Sequence, residues 1–237
     1  MLHYSRPVAD TNDLAALGRL LAAPARAAMV DALFDGRAWT VAELAAAAGV
    51  SPSTASEHLQ ALAQGGLVSG TREGRNRRYR IASDEIAAAL ESLSTLAPLR
   101  PSTGLRAITR NEAMWAARTC YDHLAGRLGV AVADGLVQAG VLQPAEQSFA
   151  TTPHGAVALA AAGIDLDALS RTRRPATLAC LDWSEQRPHL AGALGAALLR
   201  RLESAGGIQR LTPGRAVRLQ PAGRTLLGSL GVTIDAV

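Results

Sequence analysis

Two thiols, two carboxylates and two imidazoles recur in the same order along this chain of 237 residues. Cys120, Asp122 and His123 lie in CYDHLAGRLG, and Cys180, Asp182 and His189 lie in CLDWSEQRPHLAGALG. Two thiolates with two imidazoles make a tetrahedral donor set for zinc or another thiophilic ion, and Asp122 and Asp182 stand with them as candidate metal or redox residues. The same thiols could instead join reversibly as a disulfide, which requires their Cα atoms to come within ~7 Å. A third reading is structural: the cysteines are small core residues, and each His or Asp caps the helix it precedes. The spacings Cys-x2-His and Cys-x8-His match no standard zinc motif, so all three readings stay open.

What must position these groups is a duplication. HLAGRLGVAVADGLVQAGVLQ from 123 aligns with HLAGALGAALLRRLESAGGIQ from 189, an offset of 66 residues. The match continues in FATTPHGAVALAAAGI from 149 and VRLQPAGRTLLGSLGV from 217. Each copy reads as a helix opening at or near the His, a glycine break, a second amphipathic turn and a short strand. Thr-Pro-x-Gly or Gln-Pro-x-Gly then opens a final helix. That order is a degenerate winged-helix-like unit, and two such units bury their apolar faces against each other. The expectation is a duplicated sensor domain over 105–237, with repeats at about 116–170 and 178–237. A pseudo-two-fold arrangement would bring the two Cys/Asp/His sets together. Trp115, Tyr121 and Trp183 stand beside them in a chain with 3% aromatic residues, and read either as an organic-effector pocket or as core plugs.

The chain carries a net charge of +4 and no lysine, so its positive charge is all arginine. In the first copy Arg127 is set against Asp134, Glu146 and Asp165, which excludes phosphate binding there. The second copy has Arg200, Arg201, Arg210, Arg215 and Arg218, read as solvated surface with auxiliary backbone contact as the alternative. The densest run is GTREGRNRRYR, residues 70–80, with five arginines against one glutamate.

That run closes a pattern in the first hundred residues. NDLAALGRLLAAPARAAMVDALFD reads as two helices, the first capped by Thr11 or Asn12 and the second restarted at Pro24. A short helix at about 41–48, a turn at Gly49 and a helix opening at Ser51-Pro52 form a helix-turn-helix by spacing. Ala55, Leu59, Leu62 and Ala63 make the buried stripe of its second helix. Ser51, Ser53, Thr54, Ser56, Glu57, His58 and Gln60 are presented to base edges and phosphates. LVSGT and RRYRI make a two-stranded wing, with Arg72, Arg75, Arg77, Arg78 and Arg80 as a phosphate or minor-groove clamp.

Residues 14–97 resemble the arsenical-resistance-repressor (ArsR) family of winged helix-turn-helix regulators. LAALGRLLAAPARAAMVDAL is similar to its first two helices, VAELAAAAGVSPSTASEHLQAL to its helix-turn-helix, and GGLVSGTREGRNRRYRI to its wing. The resemblance implies a homodimer on two-fold operator DNA, with helices at about 11–22 and 84–97 as the dimer surface and Leu90, Leu93 and Leu96 as an apolar seam. Many members sense metals through thiols in the helix before the recognition helix, but here that helix reads VAELAAAAG. Others use His and Asp on the last helix of the domain, and residues 83–97 contain no histidine.

The fold expected is mainly α with short β-hairpins (α+β): a DNA-binding and dimerisation domain over 1–100, then the duplicated half. With 49% hydrophobic residues the chain can bury two cores. No apolar run reaches the ~18 residues of a membrane span and no leader pattern opens the sequence, so a cytoplasmic protein without a membrane partner is expected. The function expected is a DNA-binding repressor responding to a ligand, metal or redox signal. The alternative is a metal- or thiol-chemistry protein, or a small-molecule enzyme, with a DNA-binding domain attached. Catalysis is disfavoured because no Gly-x-Ser-x-Gly elbow, phosphate loop or metalloprotease signature is present.

Overall fold

A computed structural model describes residues 13–98, 105–211 and 214–234. The chain divides into two compact units, residues 1–31 with 38–82, and residues 32–37 with 83–237.

The first unit contains α1 (Leu14–Leu21), most of α2 (Pro24–Leu33), β1 (Trp39–Thr40), α3 (Val41–Ala48), α4 (Pro52–Gln64), β2 (Val68–Glu73) and β3 (Asn76–Ile81). Asp13 caps α1 by accepting from the Ala16 amide at 2.8 Å, while Thr11 and Asn12 lie outside the described residues. Thr40 and Glu43 form a capping box on α3, which ends at Gly49 in the left-handed region (φ 67°). Ser51 then caps α4 with Pro52 in its first turn, as the sequence implied. Ala55, Leu59 and Leu62 are fully buried, so the helix has one apolar stripe and one polar face. The wing is β2 paired antiparallel with β3 around Gly74-Arg75, and β1 extends the sheet in the order β1-β3-β2.

The second unit holds the segment 32–37, α5 (Asp84–Leu96), α6 (Leu105–Ala116) and two stretches of like element order. The first is β4 (Arg118–Cys120), β5 (His123–Ala125), α7 (Gly126–Gln138), β6 (Leu142–Ala145), β7 (Ser148–Thr151) and α8 (Pro153–Ala161). After α9 (Leu166–Ser170) the second runs β8 (Leu178–Leu181), β9 (Pro188–Ala191), α10 (Gly192–Ser204), β10 (Ile208–Arg210), β11 (Val217–Leu219) and α11 (Pro221–Ser229). Each therefore reads hairpin, helix, hairpin, helix.

That order corrects one sequence expectation. His123 opens a strand and His189 is the second residue of one, so neither opens a helix; the following helices begin three residues later at Gly126 and Gly192 without a side-chain cap. Both glycines sit at positive φ (72° and 80°), where a β-carbon would be strained, and this turns the chain from strand to helix. Three residues, His-Leu-Ala, before a glycine cannot by themselves distinguish a strand from a helix turn. α7 packs against β9, and α10 against β5, so each repeat's helix lies on the other repeat's hairpin. Leu124, Leu128, Leu136, Leu190, Leu194, Leu198 and Leu202 fill the core between them.

The arginines of the second copy are also corrected. Arg201 donates to the Ala162 carbonyl, Arg210 pairs with Glu203 and donates to the Asp35 carbonyl, and Arg215 is buried beside Glu91. Arg200 and Arg218 are the exposed pair.

Candidate functional site

The hairpin registers explain how cysteine and histidine meet. Cys120 is the direct cross-strand partner of His123, and Cys180 that of His189. The six extra residues of the second copy lie between Asp182 and His189, where they lengthen the hairpin loop without disturbing that pairing. Because β5 lies beside β9, the two pairs converge. Sγ of Cys120 is 3.9 Å from Sγ of Cys180, and Nε2 of His123 is 3.1 Å from Nε2 of His189. The four ligand atoms lie within 4.8 Å of one another, and the two thiols are free. Cys120, His123 and His189 are buried, while Cys180 is partly exposed.

These separations suit one ion. Tetrahedral coordination with bonds of ~2.3 Å to sulfur and ~2.0 Å to nitrogen spaces the sulfurs ~3.8 Å and the nitrogens ~3.3 Å apart.

The carboxylates do not join that cluster. Asp122 Oδ1 is 3.4 Å from His123 Nδ1, and Asp182 Oδ2 is 3.3 Å from His189 Nδ1, the latter off the angle of a hydrogen bond. Each carboxylate thus faces the ring nitrogen that points away from the cluster, which favours a proton there and leaves Nε2 as the donor to an ion. Each is in turn anchored by an arginine. Arg118, with its side chain fully buried, gives NH2 to Asp182 at 2.7 Å, and Asp182 also accepts from Ser184 Oγ and from the amides of Gly126, Ser184 and Glu185. Arg174 clasps Asp122 and also pairs with Asp84. Arg118 and Arg174 were missed from sequence, since neither has an equivalent in the other copy.

The surroundings set the charges. Burial raises the Asp122 carboxyl, but His123 and Arg174 outweigh it and bring its pKa down to about 2. Burial opposes a charged His123, yet Asp122 and Cys180 lift its pKa to about 9. The Cys120 thiol is pushed well up by burial and by its neighbour Cys180, whereas Cys180 is held down chiefly by the hydrogen bond with Cys120, with His123 and His189 adding to it. Asp182 is desolvated, but His189, Arg118 and Ser184 hold it well below the usual carboxylate range.

Trp115 and Trp183 meet edge to face at 5.9 Å, and Arg118 stacks 4.2 Å above the Trp183 ring. They wall the ion-pair network. Tyr121 is at the β4–β5 turn at φ 59°, and burial together with Asp84 and Asp122 raises its phenol to about 12. A cavity of about 200 Å³ in this unit is lined by Ala113, Leu128, Arg218 and others, but not by these three aromatics.

In the first unit, Ser53, Ser56, Glu57 and Gln60 are exposed along α4, and Ser51, Ser53 and Thr54 share hydroxyl hydrogen bonds at its start. His58 is half-buried with Nδ1 3.4 Å from Arg26. Arg72, Arg75, Arg77 and Arg80 are exposed on the wing. Arg78 is turned inward, paired with Glu73 at 2.6 Å and donating to the Ala38 carbonyl.

A helix-turn-helix domain family matches residues 21–71. The uncharacterized HTH-type transcriptional regulator YdfF of Bacillus subtilis is 38% identical over 212 residues, covering 90% of this chain and 94% of that protein. The chain belongs to the winged helix-turn-helix transcriptional regulators of ArsR type. It is therefore a DNA-binding regulator of transcription. The HTH-type transcriptional regulator CmtR of Mycobacterium tuberculosis is 45% identical over 80 residues, covering 34% of this chain and 67% of that one. Among solved structures, the cadmium metal-sensor CMTR of that organism is 38% identical over 38% of this chain and 95% of its own, with a TM-score of 0.31. The homodimeric winged helix-turn-helix domain of Mb0332 from Mycobacterium bovis is 33% identical over 38% of this chain and 89% of its own, with a TM-score of 0.33. Both cysteines of this chain lie outside the matched residues 21–71. Among the described residues, no helix is long and apolar enough to cross a membrane.

Proposed function

We propose that this regulator is a cytoplasmic, homodimeric repressor whose C-terminal half binds one thiophilic divalent ion, zinc being the best match, and changes operator affinity when it does so. The observation that carries this reading is the convergence of Cys120, His123, Cys180 and His189 to within 4.8 Å, with a carboxylate behind each imidazole. Two lone pairs facing each other at the 3.1 Å between the imidazole Nε2 atoms need a cation between them. The bound ion supplies no catalysis; it cross-links the two hairpins.

DNA contact is assigned to Ser51, Ser53, Thr54, Ser56, Glu57 and Gln60 on α4 and to Arg72, Arg75 and Arg77 on the wing, with His58 and Arg78 supporting them. Self-association is supported by Leu14 on α1 and by Leu93 and Leu96 on α5, which are 75%, 44% and 81% exposed in the single chain; Leu90 is buried within it. A dimer would read half-sites about one helical turn apart.

Communication has a covalent route. Residues 32–37 belong to the same compact unit as the ion site yet run directly from α2 into β1. Arg210 holds the Asp35 carbonyl, Arg215 stacks 5.1 Å over the Phe34 ring, and the Tyr121 carbonyl abuts Gly36. A change in the β4–β5 hairpin is thereby passed to the segment that leads into the helix-turn-helix, with coupling of ~1–3 kcal/mol.

The test is DNA binding by fluorescence anisotropy with and without zinc. A shift of 5- to 150-fold, of the order such coupling gives, that disappears in His189→Ala supports the reading. Equal affinity in all cases contradicts it.

A further inference from the structure

We infer that Cys120 and Cys180 are an oxidisable pair that peroxide joins as a disulfide, expelling the ion that the same thiols hold. The expulsion rests on the proposed ion site; the disulfide does not.

The geometry is close to that of a bond. The sulfurs are 3.9 Å apart, and a disulfide needs ~2.05 Å. Both cysteines lie close to hairpin loops: Tyr121 follows Cys120 at φ 59°, and one paired residue, Leu181, separates Cys180 from a loop that includes Gln186 at φ 53°. The approach can therefore be made at loop ends while the paired strands keep their register.

Access is unequal in the way a two-step oxidation needs. Cys180 is partly exposed, so peroxide reaches it, whereas Cys120 is 1% exposed, with the Cys180 sulfur beside it. These are the only two cysteines in the chain, so no third thiol competes within it.

The steps balance. The Cys180 sulfur attacks one peroxide oxygen, the O–O bond breaks, and the departing hydroxide takes up a proton as water, leaving a sulfenic acid. The Cys120 sulfur attacks the Cys180 sulfur, the S–O bond breaks, and a second water leaves. Two thiols and one hydrogen peroxide give one disulfide and two waters, the sulfurs supplying the two electrons that reduce the peroxide. A disulfide sulfur is no longer a thiolate donor, so the ion is left with two imidazoles and departs.

The experiment uses the full chain in two forms, stripped with chelator and loaded with zinc, each treated with hydrogen peroxide. Thiols are counted, the intact mass is measured, the linked peptide is sought, and released zinc is read with a chromogenic chelator. The expected result is an intrachain Cys120–Cys180 link in both forms, with one zinc released for each pair of thiols lost. Cys120→Ser should stop at oxidised Cys180 without a link, and a His123→Ala, His189→Ala double variant should hold zinc weakly yet still form the disulfide. Thiols that survive in the stripped form, oxidation of Cys180 to sulfinic acid beside an intact Cys120, or links only between chains would overturn the disulfide. Failure of the untreated protein to hold zinc overturns the ion site, and with it the expulsion, before peroxide is added.

Discussion

His123 and His189, 66 residues apart in sequence, point their Nε2 atoms at each other across 3.1 Å while each Nδ1 faces its own carboxylate. In the free chain His123 carries a proton at neutral pH, because Asp122 and Cys180 outweigh burial and raise its pKa to about 9. The buried Cys120 thiol is likewise protonated at neutral pH.

An ion must therefore displace protons. Zinc binding at pH 7 is expected to release about two protons per ion, from Cys120 and His123, because only deprotonated donors coordinate. The sign follows from the direction of the shifts: both groups hold their protons more tightly than usual, so apparent affinity rises with pH through the His123 pKa of about 9 and falls on acidification. Calorimetry in buffers of different ionisation enthalpy measures the proton count; a count of zero contradicts this protonation scheme.

Gly195 of α10 lies against the other repeat's hairpin, where a β-carbon would stand 3.2 Å from His123 Cβ and run into the Leu190 carbonyl. Gly129 of α7 has the matching relation to Leu124 and His189. Gly195→Ala is expected to cost ~1–3 kcal/mol by overpacking and to weaken zinc binding as His123 is pushed aside. Gly18→Ala, on α1 with open space around it, serves as the control and should be neutral or slightly stabilising. Denaturant unfolding of both variants decides it.

Arg118 and Asp182 form an ion pair with no exposed side-chain surface. Arg118→Ala should destabilise the chain by ~3–5 kcal/mol, since it leaves a buried carboxylate without its cation. Arg174→Ala should cost less, because Arg174 and Asp122 keep 27% and 24% of their side-chain surface in water. Equal losses in thermal unfolding would show that burial does not set the difference.

On the wing, Arg72 is paired directly across from Arg77. Like charges in that register disfavour the hairpin, and the DNA contact proposed for the wing accounts for their presence there. Removing either with alanine should weaken DNA binding across all sequences and lower the salt slope by about 1, while leaving the fold as stable or slightly more so. Anisotropy titrations over a range of salt provide the slope; an unchanged slope places the wing outside the interface.

The sequence was most informative where one local rule decides. Ser51 followed by Pro52 announces α4, and Gly49 ends α3, because caps are matters of a few backbone amides. The equivalence of Cys120 with Cys180 and of His123 with His189 was visible from the duplication alone. That HLA is a strand was not, since a three-residue strand carries no period; the conformational signal is the glycine at positive φ that follows it. Asp122 and Asp182 were read as possible ligands because spacing cannot tell a donor to an ion from a carboxylate behind an imidazole. Their arginines come from outside the repeat or from one copy only, so the duplication could not reveal them. Packing of residues 32–37 with the C-terminal half is likewise a tertiary fact with no local signature.

The central claim is that one ion is held by both thiols and both imidazoles. X-ray absorption at the zinc edge of the loaded full chain tests it most directly. The expected spectrum shows a four-coordinate first shell of two sulfurs at ~2.3 Å and two nitrogens at ~2.0 Å, reduced by one sulfur in Cys180→Ser. A shell of oxygen and nitrogen alone, without sulfur, would contradict it.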